Sequence, residues 1–124
     1  MEKIKEVYLD SNIFIASILS MKDNGKKARD IIIKIQQKQI KGYTSTLTFD
    51  EVVFVVRRLA CFEKSLIAGE YFLKIPNLSF INATYEIVLL AQELIKKYKI
   101  KPRDAIHAAC CIQNNIKIII SDDL

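Results

Sequence analysis

Short strand-like runs recur between stretches of helical period along the whole chain, and that alternation leaves few folds open. Residues 4–9 read as a strand ended by Asp10, and residues 11–20 as a short helix started by Ser11 or Asn12. After a turn at residues 22–25, Ala28, Ile31, Ile32 and Ile35 fall at i, i+3, i+4 and i+7, which predicts an amphipathic helix to about Ile40. Tyr43, Thr44 and Thr46 mark a strand over residues 42–46. Thr48 opens a valine-rich helix through Val52, Val53, Val55, Val56 and Leu59, and a further helix from Glu63 stops before Pro76. Leu78–Ile81 is a strand candidate. Ile87, Leu90, Ala91, Leu94, Ile95 and Tyr98 define the clearest helix. Pro102 stands where a first helical residue belongs, and residues 105–115 follow as a small-residue helix. Residues 117–121 form a last strand, apolar enough to predict burial on both faces. Strands and helices in turn, with helices in excess, predict an α/β sandwich whose mostly parallel sheet is covered on both sides.

The composition fits one such domain. At 124 residues, 51% apolar and 27% charged, the chain has enough apolar content for a single core and is not disordered. No linker, repeat or low-complexity tract divides residues 1–124. Cys110 and Cys111 are adjacent and Cys61 stands alone, so no disulfide framework is present, and with one histidine a structural zinc site is not expected. A reducing cytoplasm is the compartment this usage predicts. No apolar run approaches the roughly 18 residues of a membrane span. The stretch 13–19 imitates a signal-peptide core, but Glu2, Glu6 and Asp10 spoil the basic lead-in. The formal charge of +5 favours a polyanionic partner.

In parallel sheets, sites gather beyond the carboxyl ends of strands, where strand order reverses. That rule selects Asp10 and the pair Asp122–Asp123, each following an apolar strand. Two helix starts add Glu51 and Asp104. Every one has an ordinary structural role available: Asp10 as a helix cap, Glu51 in a Thr48-x-x-Glu51 capping box, Asp104 in favourable contact with a helix dipole, Asp122 and Asp123 as solvated residues. Taken together they predict convergence on one cleft. Clustered carboxylates resist ionising together unless a cation neutralises them, and an oxygen donor set points to Mg²⁺ or Mn²⁺. Such an ion assists hydrolysis of a phosphodiester. His107, three residues after Asp104, is expected to hydrogen-bond that carboxylate and fix its orientation. Lys96, Lys97, Lys99, Lys101 and Arg103 crowd the approach to Asp104, a candidate phosphate track that Arg57 and Arg58 extend; their ordinary role is a solvated helix end.

The segments YLDSNIFI, TSTLTFDEVVFVV, KPRDAIHAAC and IIISDD, in this order and spacing, resemble the acidic motifs of PIN-domain nucleases. In size and layout the chain is most like the VapC toxins of toxin–antitoxin pairs and their stand-alone prokaryotic relatives. The resemblance implies a three-layer, Rossmann-like α/β/α sandwich and a Mg²⁺- or Mn²⁺-dependent endoribonuclease. It makes Asp10, Glu51, Asp104 and Asp123 the catalytic and metal-binding carboxylates, with Ser11, His107 and Asp122 supporting. The Ser121-x-Asp123 spacing is what selects Asp123 over Asp122. RNA is the implied substrate, held by Lys97, Lys99, Lys101 and Arg103; a homodimer and an antitoxin protein are the implied partners. Such domains normally continue through a further aspartate–aromatic pair, a strand and a helix, so the resemblance leaves a C-terminal truncation open. Two rivals remain: a catalytically silent RNA-binding or scaffold subunit, and a phosphotransfer enzyme using Asp10 as nucleophile. The second fits poorly, because Asn12 stands where a dehalogenase-like site wants an aspartate and no adjacent acids precede the strand.

Overall fold

The first strand sorts its side chains onto two faces, and the remaining chain is arranged around that sorting. In the computed structural model, which describes residues 3–121, β1 (Glu6–Leu9) sends Val7 and Leu9 into one apolar cluster and Tyr8 into another. Such alternation is the period of two that an extended chain imposes. Helices α1 (Ser11–Leu19), α2 (Asp23–Gln36), α3 (Thr48–Leu59) and α4 (Phe62–Leu73) supply the first cluster. Helices α5 (Tyr85–Tyr98) and α6 (Pro102–Gln113) supply the second, with Cys110 and Cys111 buried and free as small core residues. Between these layers β2 (Lys41–Ser45), β3 (Leu78–Ile81) and β4 (Ile119–Ile120) join β1 in a parallel sheet of order β3-β2-β1-β4. This is the three-layer sandwich expected from the sequence.

Strand order reverses beside β1, which pairs β2 on one side and β4 on the other. The register Leu9↔Ile120 brings the ends of β1 and β4 level, and the Asp10 amide donates to the Ile120 carbonyl at 3.0 Å. A crevice therefore opens at the carboxyl end of β1.

Two local expectations need correction. Residues 22–25 are not a free turn, because α2 already starts at Asp23 and carries Gly25 in its first turn. A Cβ on Gly25 would lie 2.1 Å from the Ser20 carbonyl oxygen, so only glycine lets α2 begin against the end of α1. Arg29, one turn on, donates to the carbonyls of Ser17 at 3.2 Å and Ser20 at 2.9 Å, groups that a helix end leaves unpaired. The long helix α5 begins at Tyr85, where the Thr84 hydroxyl accepts from the Ile87 amide as a side-chain cap. The last strand is not buried on both faces: among the described residues β4 is an edge strand, Ile120 packs on the larger cluster, and Ile119 remains 47% exposed.

Candidate active site

Two carboxylates from different layers meet at the carboxyl end of β1. Asp10 leaves that strand and precedes α1, yet its carboxylate makes no capping bond. It instead accepts from the Ser121 hydroxyl at 2.9 Å, just beyond β4, and lies 3.2 Å from the Ser11 hydroxyl. Glu51, in the first turn of α3, is only 7% exposed. Its Oε2 accepts from Ser11 at 2.7 Å and its Oε1 from His107 Nε2 at 2.8 Å. Ser11 has one proton for two carboxylates, and the shorter contact, to Glu51, takes it. The Thr48-x-x-Glu51 capping box does not form. Thr48 is buried and pairs at 2.8 Å with Thr44, whose hydroxyl donates to the Leu9 carbonyl at 2.9 Å and so anchors the strand end from which Asp10 emerges.

His107 also departs from expectation. Rather than Asp104 on its own helix, its ring engages Glu51 through Nε2 and the Tyr8 hydroxyl through Nδ1, with Asp10 Oδ1 3.5 Å from Nε2. The side chain of α6 that follows Asp104 by three residues is turned inward across the sheet end, while Asp104 itself is exposed. Tyr8 was not among the residues the sequence singled out. Its signal was a phenol within an apolar strand, two residues before Asp10. Ser121 was read only as a spacing marker, and it is a direct partner of Asp10.

The electrostatics follow from these contacts. Burial alone would raise the Glu51 carboxyl, but the hydrogen bonds from His107 and Ser11, with the attraction of His107 and Arg103, hold it below its usual range. Burial pushes the Tyr8 phenol far up, so it keeps its proton and can donate. Among the described residues no buried side-chain nitrogen or oxygen lacks a partner.

Asp10, Ser11, Glu51 and Asp104 line one cleft of about 400 Å³, with Lys101 and Arg103 on its rim. A larger cavity of about 590 Å³ lies among α1–α4, bordered by Leu19, Val56, Ile67 and Tyr71, and no carboxylate lines it. The carboxylates line the smaller cleft. One ligand atom each from Asp10, Glu51 and His107 lies within 4.8 Å of the others. The imidazole has no nitrogen to spare, since Glu51 and Tyr8 occupy both. The donors that remain are carboxylate oxygens, a set suited to a hard divalent cation. Lys97 lies against the Tyr98 ring and Lys99 caps α5 in a left-handed conformation, so of the four candidate RNA contacts Lys101 and Arg103 alone border the cleft. Asp122 and Asp123 lie outside the described residues.

The sequence pattern of the PIN domain matches residues 7–124. The chain belongs to the PIN-domain family. Among curated proteins it is 28% identical to Ribonuclease VapC2 of Methanocaldococcus jannaschii over 131 residues, covering 95% of this chain and 85% of that protein. Among solved structures, VapC20 of Mycobacterium tuberculosis, a sarcin–ricin loop cleaving toxin, superposes with a TM-score of 0.80 at 13% identity, covering 94% of this chain and 89% of the other. VapBC2 of Rickettsia felis, bound to a DNA fragment from its promoter, gives a TM-score of 0.67 at 17% identity over 95% of this chain and 99% of the matched chain. A toxin–antitoxin complex from Klebsiella pneumoniae gives 0.63 at 21% identity over 92% and 84%. This PIN domain thus shares its fold with proteins named as toxins. Its acidic cleft stands where strand order reverses, the position such a sheet favours for a site.

Proposed function

We propose that this PIN domain is a divalent-metal-dependent endoribonuclease of the VapC kind, with RNA as substrate. The observation that carries the reading is the meeting of Asp10 and Glu51 through Ser11 in a cleft whose rim holds Lys101 and Arg103. Two carboxylates are brought together there, and Glu51 is held ionised by its hydrogen bonds, which makes sense if a cation is to be bound. The chemistry of the donors fits Mg²⁺ or Mn²⁺. Asp10 and Glu51 would hold the ion, joined by Asp104 from the same cleft and by Asp123, with Asp122 in a supporting role. The bound ion supplies Lewis-acid polarisation of the phosphodiester and a more acidic water.

The chain's own side chains do the rest. Lys101 and Arg103 attract the phosphate backbone and set its approach, and Lys97 and Lys99 extend the positive field along the strand. Ser11 keeps the two carboxylates in register, and Ser121 restrains the second Asp10 oxygen. Residues 1–124 act as one domain in the cytoplasm. An antitoxin protein and a second copy of the chain are the proposed partners. The exposed Phe54, Phe62, Leu66 and Leu73 on α3 and α4 offer apolar surface for the latter.

The test is cleavage of a mixed RNA pool with Mg²⁺, with Mn²⁺ and with EDTA, comparing the parent with Asp10→Asn. The substitution keeps the shape and removes a ligand charge, so metal-dependent cleavage should vanish while the fold persists. Undiminished cleavage by the Asn variant would sink the metal-nuclease reading of this cleft, and a parent that cleaves nothing with either ion would favour the silent RNA-binding or scaffold reading.

A further inference from the structure

We propose that Tyr8 and His107 are positioning residues that hold the Glu51 carboxylate in the one orientation from which it can bind the metal, an inference that rests on reading the cleft as a metal site. The protein has a single histidine, and it is 4% exposed. Its two nitrogens are gripped from opposite sides: the Tyr8 hydroxyl on Nδ1, from the middle of the sheet, and Glu51 Oε1 on Nε2, from the far helical layer. A carboxylate only accepts, so Nε2 carries the proton in this bond. That proton removes Nε2 from any role as a metal ligand, close though it lies to Asp10 and Glu51. The imidazole is a strut between a fixed phenol and a functional carboxylate.

The phenol is well placed to fix the ring. Tyr8 is fully buried, and its ring meets the imidazole edge-on with centroids 5.5 Å apart at 61°. In the neutral ring Nδ1 is left to accept the phenol O–H, which prevents the imidazole from flipping its donor away from Glu51. A free glutamate has rotamer entropy to lose on binding an ion. Here that cost is met on folding. An ionised carboxylate has about four lone-pair sites. His107 takes one on Oε1 and Ser11 one on Oε2, so each oxygen keeps a site for the cation. Groups that orient a metal-binding carboxylate in this way typically change metal affinity by about 10- to 100-fold when removed.

The experiment uses the full chain and Mn²⁺ alone, with affinity measured by titration calorimetry and folding checked by circular dichroism. His107→Leu should bind Mn²⁺ about 10- to 100-fold more weakly, and Tyr8→Phe about 10-fold more weakly. His107→Gln places an amide N–H near the former Nε2 and should recover most of the loss, which a merely space-filling role would not. Because the protein has one histidine, ¹⁵N labelling gives a single imidazole spectrum, expected to show a proton on Nε2 in the parent and a faster-exchanging one in Tyr8→Phe. Should His107→Leu fail to fold, Tyr8→Phe, which loses only one oxygen, carries the test. Tyr8→Phe binding Mn²⁺ as tightly as the parent, or a bare Nε2 in the parent, overturns the proposal. A parent that binds no Mn²⁺ overturns the metal reading itself and the strut with it, a result distinct from equal binding by parent and variants.

Discussion

Replacing Glu51 separates what its charge does from what its hydrogen bonds do. Both Glu51→Gln and Glu51→Ala remove the carboxylate and its repulsion with Asp10, so that contribution cancels when the two variants are compared. The glutamine can keep every partner: its oxygen accepts from His107, its amide nitrogen donates to Ser11, and the Ser11 hydroxyl turns to Asp10, 3.2 Å away. The alanine takes from the buried His107 Nε2–H its 2.8 Å acceptor and leaves only Asp10 Oδ1 at 3.5 Å, a loss of about 1–3 kcal/mol. It also forfeits one buried methylene, about 0.8 kcal/mol. The glutamine variant should therefore be more stable than the alanine variant by roughly 2–4 kcal/mol. For a chain of this length that is on the order of 10 °C or more in Tm. Urea denaturation in EDTA followed by far-ultraviolet circular dichroism suits a protein with no tryptophan. Mn²⁺ at a hundred times its Kd should add about 2.7 kcal/mol to the parent and little to either variant. Equal stability of the two variants within 1 kcal/mol would refute the assignment of His107 as a buried donor to Glu51.

Acidification should destabilise the metal-free protein through the same residue. Glu51 is held below its usual value of 4.5 in the folded state, so the unfolded chain takes up the proton first. The stability it contributes is complete above the ordinary carboxylate range and drains as pH falls through the lowered value; Glu51→Gln should flatten that part of a Tm-against-pH curve. Lys101→Ala and Arg103→Ala should each reduce the slope of log affinity for single-stranded RNA against log salt by about 0.7, and an unchanged slope would make them bystanders. From the Ser121-x-Asp123 spacing, Asp123→Ala should impair metal-dependent cleavage more than Asp122→Ala; the reverse order would shift the assignment by one residue.

Most of the architecture was legible because its signals are local. Period-two and period-3.6 patterns placed the elements, and Pro76 and Pro102 bounded helices where backbone chemistry says they must. The errors came where tertiary contact overrides local preference. Gly25 looked like a turn residue because glycine usually is one, whereas here it removes a side chain that would strike Ser20. Residues 117–121 looked doubly buried because apolar content does not say whether a strand is central or outermost. Asp10, Glu51 and Asp104 were singled out by position along the chain, and they do line one cleft. His107 was assigned to its neighbour in sequence, since spacing along one helix is all a sequence displays. Its real partners, Tyr8 and Glu51, are 99 and 56 residues away and become visible only when both layers close over the sheet end.

That separation also sets an order of events during synthesis. Asp10 is made first of the group, the histidine that holds Glu51 almost a hundred residues later, and the serine restraining Asp10 later still. At about 5–20 residues per second, roughly 5–20 s pass between the first carboxylate and the strut. Throughout that interval Glu51 has no imidazole to meet, and the wall bearing Asp104, Lys101 and Arg103 does not yet exist. A nascent chain tethered to its own message therefore lacks an assembled cleft until residues 101–121 have been made. Because the final contacts are long-range and their loop closure is slow, the delay is a property of the topology and needs no separate inhibitor to enforce it.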